Sequence, residues 1–307
     1  MGGSEGLVAV VSRGVPTEVV NRLHERHGAA GRAPRVAVVA NAMDFAGSAV
    51  RRRAYQQKAE QLRAVGLEPR QVDLTAFDVR RTSAEGVVAD LRRLLGYADC
   101  LWVGGGNTFT LLHLMRSSGL DRLLPELVGQ GLSYVGASAG AVALADGLDG
   151  VDLVDPPHRV PRWLPPLLPG AATPNAQRVG AEAEGMVRRR GLGLLPFLPW
   201  PHWDPDAPAG DPAAGPPGTH QGASQVASEG EDLELRRRSP GPSGAAVWRL
   251  RDGEHLVLTS PGSPDPTGTS TQRFSVWEAE PVLVRDADPW TGTSSGAQPD
   301  WVTEPLF

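Results

Sequence analysis

The chain alternates short runs that are apolar at every position with longer segments whose apolar residues recur every three or four places. Leu7-Val8-Ala9-Val10-Val11 is the first such run, and Pro16 to His27 then reads as a helix. Arg35 to Ala40 is a second strand. It is followed by a charged helix on which Tyr55, Ala59 and Leu62 share a face, stopping at Gly66. Gln71 to Leu74 is a weaker strand. Thr82 and Glu85 form a capping-box signature ahead of Val87, Val88, Leu91, Leu94 and Leu95, an amphipathic helix. Leu101-Trp102-Val103 is the next strand, ended by Gly104-Gly105-Gly106. A leucine-rich helix broken at Gly119 leads to the strand Leu132 to Val135, and another helix begins at Gly140. Strands apolar on both sides and separated by helices predict a parallel sheet covered on both faces. The fold class is α/β, a doubly wound and mostly parallel sheet over residues 7 to about 150.

The second half is less regular. Seven prolines between Pro156 and Pro174 mark an irregular excursion, and Leu194 to Leu198 is strand-like before Pro199-Trp200-Pro201-His202-Trp203-Asp204. Residues 205 to 230, rich in Pro, Gly, Ala and Ser, read as a loop. Ala246 to Leu250 and His255 to Leu258, with Asp252-Gly253 between them, predict a β-hairpin. Phe274 to Trp277 and Pro281 to Val284 are two further short strands. The expectation is one domain over residues 1–307, with irregular insertions at about 156–190 and 205–240 and a loose tail from about 288.

Composition narrows the function. The 307 residues are 40% hydrophobic and 21% charged, with a net charge of -5, so no basic stripe points to nucleic acid. The triplets Arg51-Arg52-Arg53, Arg188-Arg189-Arg190 and Arg236-Arg237-Arg238 read as solvated faces. The single cysteine, Cys100, excludes an intrachain disulfide and lies in an apolar run, as a buried inert thiol would. No membrane-length apolar stretch and no leader-like N-terminus are visible, and the expectation is a cytoplasmic protein without membrane or nucleic-acid partners.

The chemistry centres on Gly136-Ala137-Ser138-Ala139-Gly140, placed after an apolar strand and before a helix. Small neighbours let the chain turn sharply, so the Ser138 hydroxyl projects from the carboxyl edge of the sheet as a nucleophile must. The N-terminus of the following helix would favour negative charge on a reacting carbonyl. Gly104-Gly105-Gly106-Asn107 also leaves a strand at that edge and allows close backbone approach, as an oxyanion hole or a phosphate cradle requires. The Lys-Ser/Thr of a P-loop is missing, and no motif for a metal or another cofactor is present.

Val103-Gly104-Gly105-Gly106-Asn107-Thr108-Phe109, the leucine-rich helix and Gly136-Ala137-Ser138-Ala139-Gly140-Ala141 together resemble dipeptidase E, the aspartyl dipeptidase family to which cyanophycinases are related. The likeness runs over about residues 7 to 155, including Asn41 and Asp155-Pro156. It implies a flavodoxin-like fold akin to class I glutamine amidotransferases, with serine in place of their elbow cysteine. It implies that Ser138 is the nucleophile of a serine peptidase acting on a small peptide or amide, without a cofactor. It further implies an oxyanion hole of the Gly106 and Ala139 amides, with Gly105 and Asn107 beside the substrate. The family base is a histidine in an Asn-Pro-His-Phe-like setting, which Pro201-His202-Trp203 matches; His158 is the runner-up.

Departures from the family keep alternatives open. The stretch from Ser138 to His202 is long, and no arginine lies between His202 and Arg236 where the family has a basic helix for acidic side chains. The family's acid, expected ahead of the 246–258 hairpin, falls on Gly241-Pro242-Ser243-Gly244, which has no carboxylate. Asp204, Asp232, Glu234 and Glu254 are the substitutes. Without an acid the protein would be a weakened or silent relative that binds a small ligand or a partner. An ordinary α/β-hydrolase esterase would instead pair Asp152 or Asp155 with His202.

Overall fold

The computed structural model describes residues 7–28, 31–78, 84–161, 164, 190–208, 211–215, 246–259 and 282–285. Most of the 156–190 and 205–240 segments, the strand expected at 274–277, Thr82 of the capping box, the 188–189 and 236–238 arginines and the tail lie outside these residues.

The first half follows the apolar pattern closely. Strands β1 (Leu7–Val11), β2 (Arg35–Val39), β3 (Glu68–Gln71), β4 (Cys100–Val103) and β5 (Ser133–Ala137) are mutually parallel where they pair. Between them run helices α1 (Thr17–His27), α2 (Ser48–Ala64), α3 (Ala84–Leu95), α4 (Thr108–Ser117) and α5 (Leu120–Gly129). Leu7, Ala9 and Val11 of β1 join one core cluster, with Val19 and Leu23 of α1 and Leu62 of α2. Val8 and Val10 join the other, with Leu91 of α3, Leu111 of α4 and Leu124 of α5. Alternate residues of each buried strand thus feed opposite layers, which is why these strands are apolar throughout. The strand expected at 71–74 lies earlier, at Glu68–Gln71, and the chain beyond it turns into a short 3-10 segment, Leu74–Ala76, capped by the Asp73 carboxylate.

Two features depart from expectation. After β5, helix α6 (Ala139–Val142) is a single turn, followed later by the equally short α7 (Val151–Val154). A one-turn helix has no appreciable macrodipole, so the elbow contributes individual amides rather than a helix field. The predicted hairpin is also rearranged. β6 (Phe197–Trp200) pairs in parallel with β7 (Ala246–Arg249) as a separate two-stranded sheet. β8 (Glu254–Thr259) instead pairs antiparallel with β1 and with β9 (Val282–Arg285). The C-terminal antiparallel pair is therefore β8 with β9, in a main sheet ordered β3-β2-β4-β5-β1-β8-β9. The Asp252-Gly253 turn itself is kept, closed by the Glu254 amide on Arg251 O at 3.0 Å, while bonds from the Leu250 amide to Trp200 O and from the Trp203 amide to Leu250 O tie the chain before the turn to β6.

This arrangement brings distant segments to one edge. β1, β4 and β5 end there, and β8, running the opposite way, starts there with His255 opposite Val11.

Candidate active site

Ser138 sits where β5 ends, and its amide donates to Val11 O at 3.0 Å. The elbow is compressed. A Cβ on Gly136 would lie 2.4 Å from Gly140 O, and one on Gly140 would lie 2.3 Å from Val103 O. The Tyr134 hydroxyl, wholly buried in β5, donates to the Gly140 carbonyl at 2.7 Å and ties the turn to the sheet. In this setting Ser138 has φ 49°, a left-handed conformation that a serine adopts only when its surroundings hold it there.

The glycine-rich turn after β4 meets the elbow. A Cβ on Gly105 would be 2.9 Å from Ser138 Cβ, so a side chain there would displace the serine. Gly106, at φ 136°, lies against Ala42, whose carbonyl accepts the Asn107 amide at 2.9 Å. Among the described residues nothing accepts a hydrogen bond from the Gly106 or Ala139 amide. The Asn107 side chain is buried and engaged. Its Oδ1 accepts the Thr110 amide at 2.9 Å as the cap of α4, and its Nδ2 donates to Pro156 O at 3.3 Å.

His202 follows β6 and is, with Ser138, one of two non-glycine residues at positive φ among those described, at 58°. Its Nε2 accepts from Ser138 Oγ at 3.0 Å, and its Nδ1 donates to Asp252 Oδ1 at 2.7 Å. An ionised carboxylate can only accept, so it holds the proton on Nδ1 and leaves Nε2 as the acceptor for the serine hydroxyl. Both side chains remain accessible, His202 at 47% and Asp252 at 45% exposure.

The carboxylate on His202 is thus Asp252, read from the sequence as the turn residue of a hairpin. It arrives because β8 runs antiparallel to β1, which places the residues before Glu254 at the carboxyl edge. Partial burial raises the Asp252 carboxyl, but hydrogen bonds from His202 and Ser12 and the charge of Arg13 outweigh it and hold the group at about 2. Its Oδ2 accepts from Arg13 Nη1 at 3.2 Å. The carboxylates singled out from sequence are used elsewhere. Asp204 caps its own turn at the Asp206 amide, and Glu254 accepts the Arg251 amide. Asp232 and Glu234 lie outside the described residues, as does the His158 side chain. Asp155 accepts from the Thr108 amide and hydroxyl rather than from His202. Burial pushes the Asp155 carboxyl above its ordinary range, against those bonds and the charges of His202 and Arg159.

A second serine–histidine pair lies at the opposite edge, where His27 Nε2 is 3.0 Å from Ser133 Oγ. Ser133 is fully buried, and among the described residues no carboxylate takes the other ring nitrogen of His27. Among the described residues, the Ser138 pair is the one both accessible and backed by an acid. Among the described residues no cluster of three His, Cys, Asp or Glu side chains could hold a metal, and no helix is long and apolar enough to cross a membrane.

The sequence pattern of Peptidase family S51 matches residues 34–214, more than half of the chain, including Ser138 and His202. The chain belongs to Peptidase family S51. Among individual relatives it is 33% identical over 128 residues to an uncharacterized peptidase of Listeria innocua, covering 42% of this chain and 48% of that one. It is 31% identical over 166 residues to Peptidase E of Streptomyces coelicolor, covering 53% and 49%. The chain thus spans about half the length of the curated relatives it matches. The fold resembles that of a Listeria monocytogenes EGD-e protein assigned to Peptidase E, with TM-score 0.54, 15% identity and coverage of 92% of this chain and 100% of that one. It also resembles a peptidase from an acI-B1 Actinobacterium, with TM-score 0.51, 16% identity and coverage of 94% and 97%. The α/β fold is the one expected for the family. Asp252 and Ser12 lie outside the matched 34–214 region.

Proposed function

We propose that this chain is a serine peptidase or amidase that cleaves a small peptide or amide through an acyl-enzyme on Ser138. The observation that carries the reading is the continuous chain from Ser138 Oγ to His202 Nε2 at 3.0 Å and from His202 Nδ1 to Asp252 Oδ1 at 2.7 Å. In the first step Ser138 Oγ bonds to the substrate carbonyl carbon while its proton passes to His202 Nε2. The Gly106 and Ala139 amides serve as donors to the resulting oxyanion. Collapse breaks the C–N bond, and His202 returns the proton to the departing amine. A water, deprotonated by His202, then attacks the acyl-enzyme, releasing the acid and restoring Ser138. Asp252 stays ionised and holds the imidazole in its working tautomer.

Family membership and the names of the relatives support the peptidase half of this reading. The alternative of a silent relative rests on a missing acid and on the remodelled loop after His202; the position of Asp252 beside His202 favours the active reading. The single cysteine, buried at Cys100, agrees with action in the cytoplasm. The test is labelling of the folded protein with a fluorophosphonate probe. Wild type should label, and Ser138→Ala should lose labelling completely. A folded wild type that resists the probe would overturn the proposal.

A further inference from the structure

Ser12 is the first residue after β1 and lies beneath the accessible His202–Asp252 pair, itself 1% exposed. Its backbone is fixed to β8 by a bond from its amide to Glu254 O at 3.1 Å. Its hydroxyl has two partners at the site. The His202 amide donates to Ser12 Oγ at 2.8 Å, and Ser12 Oγ donates to Asp252 Oδ1 at 3.0 Å. A hydroxyl has one proton and two lone pairs, so accepting from one group and donating to the other fixes its orientation.

We infer that Ser12 is a positioning residue of the catalytic apparatus, a fourth member that holds both the base and its acid through one buried hydroxyl. This inference rests on the serine-hydrolase reading above. Two physical needs support it. His202 stands at φ 58°, a strained conformation for a non-glycine residue, and its amide has to be satisfied there. Asp252 is half exposed and has a competing partner in Arg13, 51% exposed, which draws Oδ2 towards solvent. The Ser12 hydroxyl holds Oδ1, the same atom that accepts from His202 Nδ1, and so keeps the carboxylate turned inward. Neither contact is visible from the local sequence, since Ser12 and Asp252 are 240 positions apart.

The alternative is a serine that merely satisfies a backbone amide at a strand end. Two measurements separate these roles. The second-order rate of fluorophosphonate labelling at Ser138 should fall ~10–100-fold in Ser12→Ala, as expected when a catalytic group loses its alignment. The Asp252 carboxyl, followed by 13C NMR, should titrate higher in Ser12→Ala than the value of about 2 in wild type, because one of its donors is gone. Folding is checked by circular dichroism, and should Ser12→Ala not fold, Ser12→Cys, which keeps the volume with a weak donor, replaces it under the same expectations. A folded variant that labels at the wild-type rate with an unmoved Asp252 titration would overturn the assignment of Ser12 alone. Failure of wild type to label would overturn the hydrolase reading, and the role of Ser12 with it.

Discussion

At the scale of residues, the site depends on a few side chains held in conformations they would not choose alone. Ser138 and His202 are both left-handed, and each is clamped by bonds to the end of β1, Ser138 through Val11 O and His202 through Ser12 Oγ. Asp252 is depressed to about 2, so it remains a carboxylate throughout the pH range in which a histidine base works. Because its folded value is lower than its ordinary one, the stability it contributes is present above pH ~4 and is lost as pH falls towards 2. Asp252→Asn would keep the shape while presenting an amide that can stabilise the wrong imidazole tautomer. The labelling rate at Ser138 should fall ~10^4-fold, and the thermal midpoint at pH 7 should drop as the carboxylate's contribution is lost, a difference that shrinks as pH falls towards 2. A variant that labels within tenfold of wild type would remove Asp252 from the proposed triad.

At the scale of elements, the first arginine triplet shows what a linear reading misses. Arg52 and Arg53 face solvent on α2, as a charged run predicts, but Arg51 is buried. It bonds both oxygens of Asp44 at 2.8 and 2.9 Å and pairs with Asp73 at 2.8 Å. Asn41 completes the cluster by donating to Asp44 and Asp73 and accepting the Leu74 amide. The cluster braces the turn Asn41–Ala46, which carries Ala42 against Gly106. Burial raises the Asp44 carboxyl even with Asn41 and Arg51 bonded to it, so removing the cation would strand a costly group. Arg51→Met should destabilise the fold by about 3–5 kcal/mol in urea unfolding. A loss under about 1 kcal/mol would show that the cluster is not a structural brace.

At the scale of the whole molecule, the site is a property of the sheet. Its residues come from the ends of β1, β4, β5 and β6 and from the entry to β8, and no two of these segments are adjacent in sequence. Labelling competence and global folding should therefore be lost together. In a urea titration, the midpoint for fluorophosphonate labelling should coincide with that for tryptophan fluorescence. A labelling midpoint well below the fluorescence one would mean that the β6–β8 region opens on its own.

Much of this is legible in the sequence. The apolar strands, the leucine-rich helices and the Ser138 turn are local features; β3 lies three residues before its expected run and β6 starts three residues after Leu194. Apolar periodicity reports which faces are buried, and glycines around a serine report that the backbone must turn tightly; neither requires knowledge of distant partners. The acid, Ser12 and the burial of Arg51 were not legible, because each is decided by which strand lies beside which. Asp252-Gly253 has the local chemistry of a hairpin turn, and the preceding strand joins β6 rather than β8. Only the antiparallel addition of β8 to β1 turns that dipeptide towards His202. The sequence by itself determined the doubly wound frame and the tight glycine-bounded turn at Ser138, because these follow from local burial and backbone sterics. The tertiary structure alone decided what completes the site, because strand order and register bring together residues whose neighbours in the chain say nothing of one another.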